Sequence, residues 1–166
     1  FESIIRKTEP QLIMLNGHGN DNEVAGQDNE TLLDLASKED ITKGKIIYAL
    51  SCSAAKTLGL SCIKKGTKAF IGYNEEYIFL HSHLKVARPR DDQRAKLFFE
   101  PSNLVPVSLL KGNNTGESYK DSKNALKRTI VDLLNSETTN EERVCLPYLV
   151  WNYQHLTLLG DGEAKV

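Results

Sequence analysis

Two reactive side chains, His18 and Cys52, each stand shortly after an apolar run and among small residues. His18 lies between two glycines, and Cys52 lies between two serines. A cysteine thiolate attacks carbonyl carbon, and a histidine within reach can take the thiol proton and then protonate the leaving amine. We therefore predict that the two side chains form a catalytic dyad, with Cys52 as the nucleophile and His18 as the general acid/base.

The apolar runs before these residues predict neighbouring strands. Residues 11–16 and 46–51 have strand length, and the second run is almost continuously apolar, as is typical of a central parallel strand covered on both faces. Helical spacing of apolar residues over 53–65 and a third strand at 69–73 then complete a β-α-β unit with a right-handed crossover. Because parallel strands bring their carboxyl ends to one edge of the sheet, the two reactive residues are expected to meet there.

A tetrahedral oxyanion formed at such a dyad needs hydrogen-bond donors. We predict that the backbone N–H groups of Gly19 and Cys52 supply them, because glycine permits a close approach and a helix that opens at Cys52 would favour negative charge. The order of the residues separates the site from papain-like enzymes, in which the cysteine precedes the histidine. The residues around Cys52 also lack the G-x-S-x-G pattern of an α/β-hydrolase.

The rest of the chain predicts further loops and helices. Residues 17–29 are rich in Gly, Asn and Asp, which favours a surface loop. Ser37-Lys38-Glu39-Asp40 has the form of a capping box, so we expect a brief helix there. Towards the C-terminus we expect a helix that starts around Asp91 and is broken at Pro101, a second short helix, a long helix over 118–135, and apolar runs at 146–151 and 156–159, the last being a strand that meets a turn.

Length and composition favour one domain over residues 1–166, which we expect to be a three-layer α/β/α fold with a mostly parallel central sheet. Lys and Arg number 21 against 22 Asp and Glu, so no broad basic surface is expected and neither nucleic acid nor a membrane is favoured as a partner. No apolar run reaches the roughly 18 residues of a membrane span. Three cysteines without metal-type spacing fit a reducing compartment, so we expect a cytoplasmic protein. The chemistry expected of the dyad needs neither a metal nor an organic cofactor.

Beyond these features, the chain resembles the caspase-like superfamily of cysteine peptidases, which includes caspases, legumains, separases, gingipains and CHAT domains. The similarity is greatest to CHAT domains and covers most of the chain. It lies in five blocks that follow one another in the same order: Asn16-Gly17-His18-Gly19, Ala49-Leu50-Ser51-Cys52, Gly66-Thr67-Lys68-Ala69-Phe70-Ile71-Gly72, Trp151-Asn152-Tyr153 and Leu159-Gly160-Asp161-Gly162. The resemblance implies a caspase-like fold and peptide-bond cleavage by His18 and Cys52, with an oxyanion donor at Gly19.

The resemblance also implies a protein or peptide substrate, a regulatory or sensor domain or subunit, and a role in bacterial defence or cell death. The pentapeptide around the caspase cysteine is absent, since residues 50–54 are Leu-Ser-Cys-Ser-Ala, so strict aspartate specificity is not implied. A complete caspase-like sheet has more strands before the one that leads to His18, and the sequence starts with Phe1. We therefore expect the chain to belong to a longer protein.

Two other functions remain open at this point. A catalytically silent caspase-like fold could act as an interaction module, although a pseudoenzyme has no reason to keep both reactive groups. Thiol-dependent acyl transfer or ester hydrolysis at the same dyad is a third possibility.

The other reactive residues have simpler interpretations. Cys62 and Cys145 are expected in the core, because free cysteine is among the most buried residue types. His81 and His83 allow a zinc site to be drawn on paper, but their spacing does not support one, so we interpret them as exposed loop histidines.

Acidic residues are expected near the dyad. Asp21 and Glu75, with Glu23 and Glu76, fall in loops that should flank it, where they would form an acidic pocket for Arg or Lys or remain solvated carboxylates. Asp161 follows a third strand and would either line the cleft or serve the turn around it. We therefore carry Asp21, Glu75 and Asp161 as candidate substrate-binding residues.

Overall fold

The structure, a computed structural model, describes residues 1–35, 39–82, 85, 91–135 and 138–166. Its strands, in chain order, are β1 (Leu12–Asn16), β2 (His18–Gly19), β3 (Glu23–Ala25), β4 (Thr31–Asp34), β5 (Ile46–Leu50), β6 (Ala69–Tyr73) and β7 (Leu156–Gly160). Its α-helices are α1 (Glu2–Thr8), α2 (Leu58–Lys64), α3 (Gln93–Leu110), α4 (Thr115–Leu133), α5 (Asn140–Arg143) and α6 (Leu146–His155).

The central sheet has the strand order β1-β5-β6-β7. The first three strands are parallel, and β7 runs antiparallel to β6. Every residue of β5 and β6 is buried, as their continuous apolar sequence predicts, whereas β1 alternates between buried and exposed residues. The predicted α/β class with a mostly parallel sheet is therefore confirmed.

Two apolar clusters cover opposite faces of this sheet. On one face, Tyr48 and Ile71 pack with buried residues of α3, α4 and α6. On the other face, Ile47 and Phe70 pack with α1, α2 and the small sheet. The layers are therefore α/β/α, as predicted, and the carboxyl ends of β1 and β5 open at one edge between them.

Helix α3 continues through Pro101 and Pro106, so the prediction that Pro101 breaks the helix is wrong. Pro101 is buried within α3, and at the second proline the packing of α3 on the sheet supplies a replacement hydrogen bond. Pro106 has no N–H to donate to the carbonyl of Ser102, four residues earlier. The buried hydroxyl of Tyr48 donates to that carbonyl instead, at 2.7 Å. A tertiary hydrogen bond thus replaces one that the helix lacks.

The other C-terminal elements agree with the sequence more closely. Helix α4 starts a few residues before the predicted 118, because Asn114 and Glu117 form a capping box at its N-terminus. The apolar run at 146–151 is the first part of α6, which passes directly into β7. The apolar run at 156–159 forms the predicted strand, β7, which is followed by a turn.

The region predicted to be a surface loop contains a second, antiparallel sheet. Strands β2, β3 and β4 pair in that order, and a 3₁₀ turn at Gln27–Asn29 separates β3 from β4. The proposed capping box begins at Ser37 and Lys38, which lie outside the described residues, and a 3₁₀ helix occupies Glu39–Thr42. Within the described part of the chain, no helix has the length and apolar character needed to cross a membrane.

Candidate active site

His18 and Cys52 lie at the same edge of the central sheet because their strands are neighbours. In the parallel pairing of β1 and β5, Asn16 lies opposite Leu50. His18 comes two residues after Asn16, and Cys52 comes two residues after Leu50. His18 is exposed and Cys52 is partly exposed. Both side chains line one pocket of about 380 Å³. The structure therefore brings the predicted pair together at one cavity.

The glycines on either side of His18 permit this arrangement. A Cβ atom on Gly19 would lie 2.7 Å from the carbonyl oxygen of Cys52 and 2.9 Å from the side chain of Ser51. A Cβ on Gly17 would collide with the carbonyl of Ala25 in β3. Only glycine fits at both positions, so the His18 segment passes directly against the turn that carries Cys52.

Cys52 does not open a helix, which corrects one of the sequence predictions. Residues 51–57 form a series of turns, and α2 begins only at Leu58. The amides that follow Cys52 are used elsewhere: the N–H of Ser53 donates to the carbonyl of Glu75, and that of Ala55 donates to Tyr73. The chain is thus tied to the end of β6 before it can enter a helix. A helix N-terminus at Cys52 is therefore not available to stabilise a thiolate.

The segment after β6 covers Cys52. The thiol of Cys52 donates a long hydrogen bond to the carbonyl oxygen of Tyr77, with 3.8 Å between sulfur and oxygen. Sulfur is a weak donor, so this contact orients the thiol without holding it firmly. The position of this segment consequently determines how the nucleophile is presented to the pocket.

Helix α6 holds this covering segment in place through residues that the sequence did not single out individually. The buried side chain of Asn152 accepts from the N–H of Ile78 at 3.1 Å and donates to its carbonyl at 2.6 Å. The indole N–H of Trp151 donates to the carbonyl of Glu76 at 2.9 Å. Trp151 and Asn152 belong to a block that resembles CHAT domains, which was the only sequence signal for their role.

Aromatic side chains form one wall of the pocket. Tyr77, Phe79 and Phe99 line it, and the ring centroids of Phe79 and Phe99 lie 4.9 Å apart. The hydroxyl of Tyr77 lies 3.4 Å from that of Ser102 in α3. Burial raises the pKa of Tyr77, so its hydroxyl remains protonated at neutral pH. This wall was not predicted, because it combines residues from distant parts of the chain.

The predicted acidic residues lie elsewhere. Asp21 and Glu75 both form ion pairs with Lys56, at 3.5 Å each, and their charges raise the pKa of that lysine. Neither lines the pocket of Cys52. Asp161 follows β7, which is antiparallel, and its N–H donates to the carbonyl of Lys68 just before β6. It therefore lies at the opposite edge of the sheet, away from the cleft. Its carboxylate accepts from the N–H of Glu163, which agrees with the alternative role in the turn.

The remaining reactive residues agree with their simpler interpretations where they are described. Cys62 and Cys145 are both buried, as expected. His81 is exposed, and His83 lies outside the described residues. In the part of the chain that the structure describes, no group of three or more His, Cys, Asp or Glu side chains could hold a metal ion.

A larger depression lies away from this chemistry. It measures about 740 Å³ and is lined by residues of α1 and by Glu30, without a cysteine or histidine. The pocket of His18 and Cys52 is smaller, but it combines a nucleophile and a proton carrier.

Comparison of the chain with protein families, with curated proteins and with solved structures finds no match to any of them.

Proposed function

We propose that this protein is a cysteine endopeptidase in which His18 and Cys52 cleave peptide bonds in protein substrates. The observation that carries the proposal is that both side chains line one pocket at the carboxyl ends of adjacent parallel strands. The close approach of Gly19 adds to it, because that approach places the backbone of the His18 segment against the turn that carries the nucleophile. A thiol and an imidazole at one cavity are the two groups that acyl transfer to cysteine requires.

The reaction begins when His18 takes the proton from the Cys52 thiol. The thiolate attacks the peptide carbonyl carbon, and the electron pair of the C=O bond moves to oxygen. The N–H groups of Gly19 and Cys52 stabilise that oxyanion. As the intermediate collapses, the C–N bond breaks and His18 gives its proton to the leaving amine. A thioester remains on Cys52.

Water then releases the acyl group. His18 takes a proton from the water molecule, whose oxygen attacks the thioester carbonyl. Collapse of the second tetrahedral intermediate breaks the C–S bond and frees the acid product, and the Cys52 thiolate regains the proton from His18. The cycle needs no group beyond the two side chains, the backbone donors and water.

The resemblance to CHAT domains supports a finer version of the proposal. In this version the domain has a caspase-like fold, acts in the cytoplasm under the control of an attached or partner regulatory domain, and serves bacterial defence. The order of the histidine and cysteine blocks and the α/β/α layers are consistent with it. A catalytically silent interaction module is the alternative, and it predicts no hydrolysis under any condition.

The test is hydrolysis of a positional-scanning peptide library by the wild-type chain, with and without candidate regulatory partners. We expect Cys52→Ala and His18→Ala each to lower the rate by roughly a thousandfold or more. Cys145→Ala removes a buried cysteine that is not among the residues lining the pocket, and it serves as the control that retains activity. Equal turnover by wild type and Cys52→Ala would refute the proposal.

A further inference from the structure

The pocket beside Cys52 differs in chemistry from the acidic pocket that the loop composition suggested. The side chains of Leu50, Tyr77, Phe79 and Phe99 supply its apolar surface. Its polar lining comes from the dyad and from uncharged groups such as Asn16 and Asn103. Among the residues that the structure describes, the lining contains no Asp, Glu, Lys or Arg.

We infer that this pocket binds a large apolar side chain, aromatic or leucine-like, on the residue whose carbonyl Cys52 attacks. The inference rests on the proposed peptidase and names its substrate class. The side chain of the attacked residue is attached one bond from the reacting carbonyl, so it is the substrate side chain nearest to Cys52. A cavity of about 380 Å³ lies within the range of roughly 300–1,000 Å³ that is typical of ligand pockets.

The acidic residues cannot provide the alternative specificity for Arg or Lys. Asp21 and Glu75 are already paired with the ammonium group of Lys56, and neither contributes to the lining. None of the described lining residues is Asp, Glu, Lys or Arg, so a Lys or Arg substrate side chain would lose water in the pocket without gaining a carboxylate partner. A similar penalty applies to Asp and Glu substrates, because these lining residues include no Lys or Arg.

The aromatic wall is held firmly enough to discriminate. The Tyr77 ring is tilted against that of Tyr73, with centroids 4.7 Å apart, and is stacked on that of Phe79, with centroids 6.1 Å apart. Ser102 links the hydroxyls of Tyr73 and Tyr77 and donates to the carbonyl of Phe98 in its own helix. Phe79 is the outermost member of this wall, with 42% of its surface exposed, so it can be changed with little effect on the core.

The experiment compares three peptidyl acyloxymethyl ketones that differ only in the residue next to the reactive group: Phe, Lys or Asp. Labelling of Cys52 is followed by intact mass, and labelling by iodoacetamide corrects for intrinsic thiol reactivity. We expect the Phe probe to react at least about tenfold faster than the Lys and Asp probes. In Phe79→Glu this preference should fall to about threefold or less, whereas Val107→Glu, a matched site on α3 that is also 42% exposed, should keep it.

The outcomes separate this inference from the proposed function. Equal or faster labelling by the Lys or Asp probe would overturn the inference. It would also be overturned if iodoacetamide labelled Cys52 and none of the three ketone probes did. A Phe preference that persists unchanged in Phe79→Glu would overturn the assignment of the pocket. A Phe preference without peptide hydrolysis would support the pocket and refute the peptidase. Hydrolysis that depends on Cys52 but favours charged residues would support the peptidase and refute the apolar pocket.

Discussion

Replacement of Asn152 by alanine tests whether α6 positions the segment that covers Cys52. The change removes both hydrogen bonds between the Asn152 side chain and the backbone of Ile78. Each such bond contributes about 0.5–1.5 kcal/mol, and an unpaired buried partner raises the loss to about 1–3 kcal/mol. Because Ile78 is only partly buried, water can reach its backbone and limit the loss to the lower range.

The net effect can be estimated from these terms. Two bonds lost at the lower range cost about 1–3 kcal/mol. Alanine returns about 0.5 kcal/mol, because it has a higher helix propensity than asparagine. We therefore expect the free energy of unfolding to fall by about 0.5–2.5 kcal/mol, which a domain of ordinary stability survives. Urea unfolding followed by circular dichroism measures this change.

A second readout addresses the site itself. With Ile78 released, Tyr77 and Phe79 should lose their fixed positions, so the apolar pocket should bind its probe less well. We expect the rate of Cys52 labelling by the Phe probe to fall several-fold while labelling by iodoacetamide is maintained. Gln154→Ala, an exposed neighbour on the same helix, should change the stability by less than about 0.5 kcal/mol and leave both rates unchanged. If Asn152→Ala behaves like Gln154→Ala in both assays, α6 does not position this segment.

Two further predictions concern other contacts. Gly19→Ala places a Cβ 2.7 Å from the carbonyl oxygen of Cys52, so the backbone must shift; we expect a loss of about 1–3 kcal/mol in unfolding free energy together with a loss of peptidase activity. Gly162→Ala, whose Cβ would have open space, is the control, and equal behaviour of the two variants would contradict the close approach. Burial raises the pKa of Asp92, but backbone N–H groups of Ser82, Ala95 and Arg94 outweigh it and lower that pKa below its ordinary value. Its stabilising effect is therefore fully present above the unfolded pKa of about 3.9 and is lost as the pH falls through the lower folded pKa. In urea unfolding, Asp92→Asn should be less stable than wild type at pH 7 and closer to it near pH 3, and Asp91→Asn, which changes an exposed neighbour, should show no such convergence; a constant difference at both pH values would refute the role of Asp92.

The central sheet could be predicted because its signals are local. The continuous apolar runs of β5 and β6 identify buried parallel strands, and the helical spacing that precedes β6 implies the crossover between them. Helix α3 could not be predicted in this way, since Pro101 and Pro106 are local signals against a helix. The Tyr48 hydroxyl that compensates for Pro106 comes from a strand far away in sequence. Local propensity was overridden there by a tertiary contact.

The proximity of His18 and Cys52 could be predicted for the same reason as the sheet, because each residue follows a recognisable strand. The walls of their pocket could not. Of the two roles considered for Asp161, the cleft role was wrong, because the direction of β7 cannot be inferred from its own residues and an antiparallel strand ends at the opposite edge of the sheet. The aromatic wall also left no pattern, because Phe79 and Phe99 belong to separate elements and meet only after folding.

The contacts around Cys52 link segments that are distant along the chain. Gly19 lies against the Cys52 turn, the Cys52 thiol reaches Tyr77, and Asn152 holds the next residue, Ile78. Each contact joins a different part of the sequence, so the pocket forms only when β1, β5, the segment after β6 and α6 are all in place. A displacement of α6 would therefore move the segment around Tyr77, and with it both the aromatic wall and the carbonyl that accepts from the Cys52 thiol.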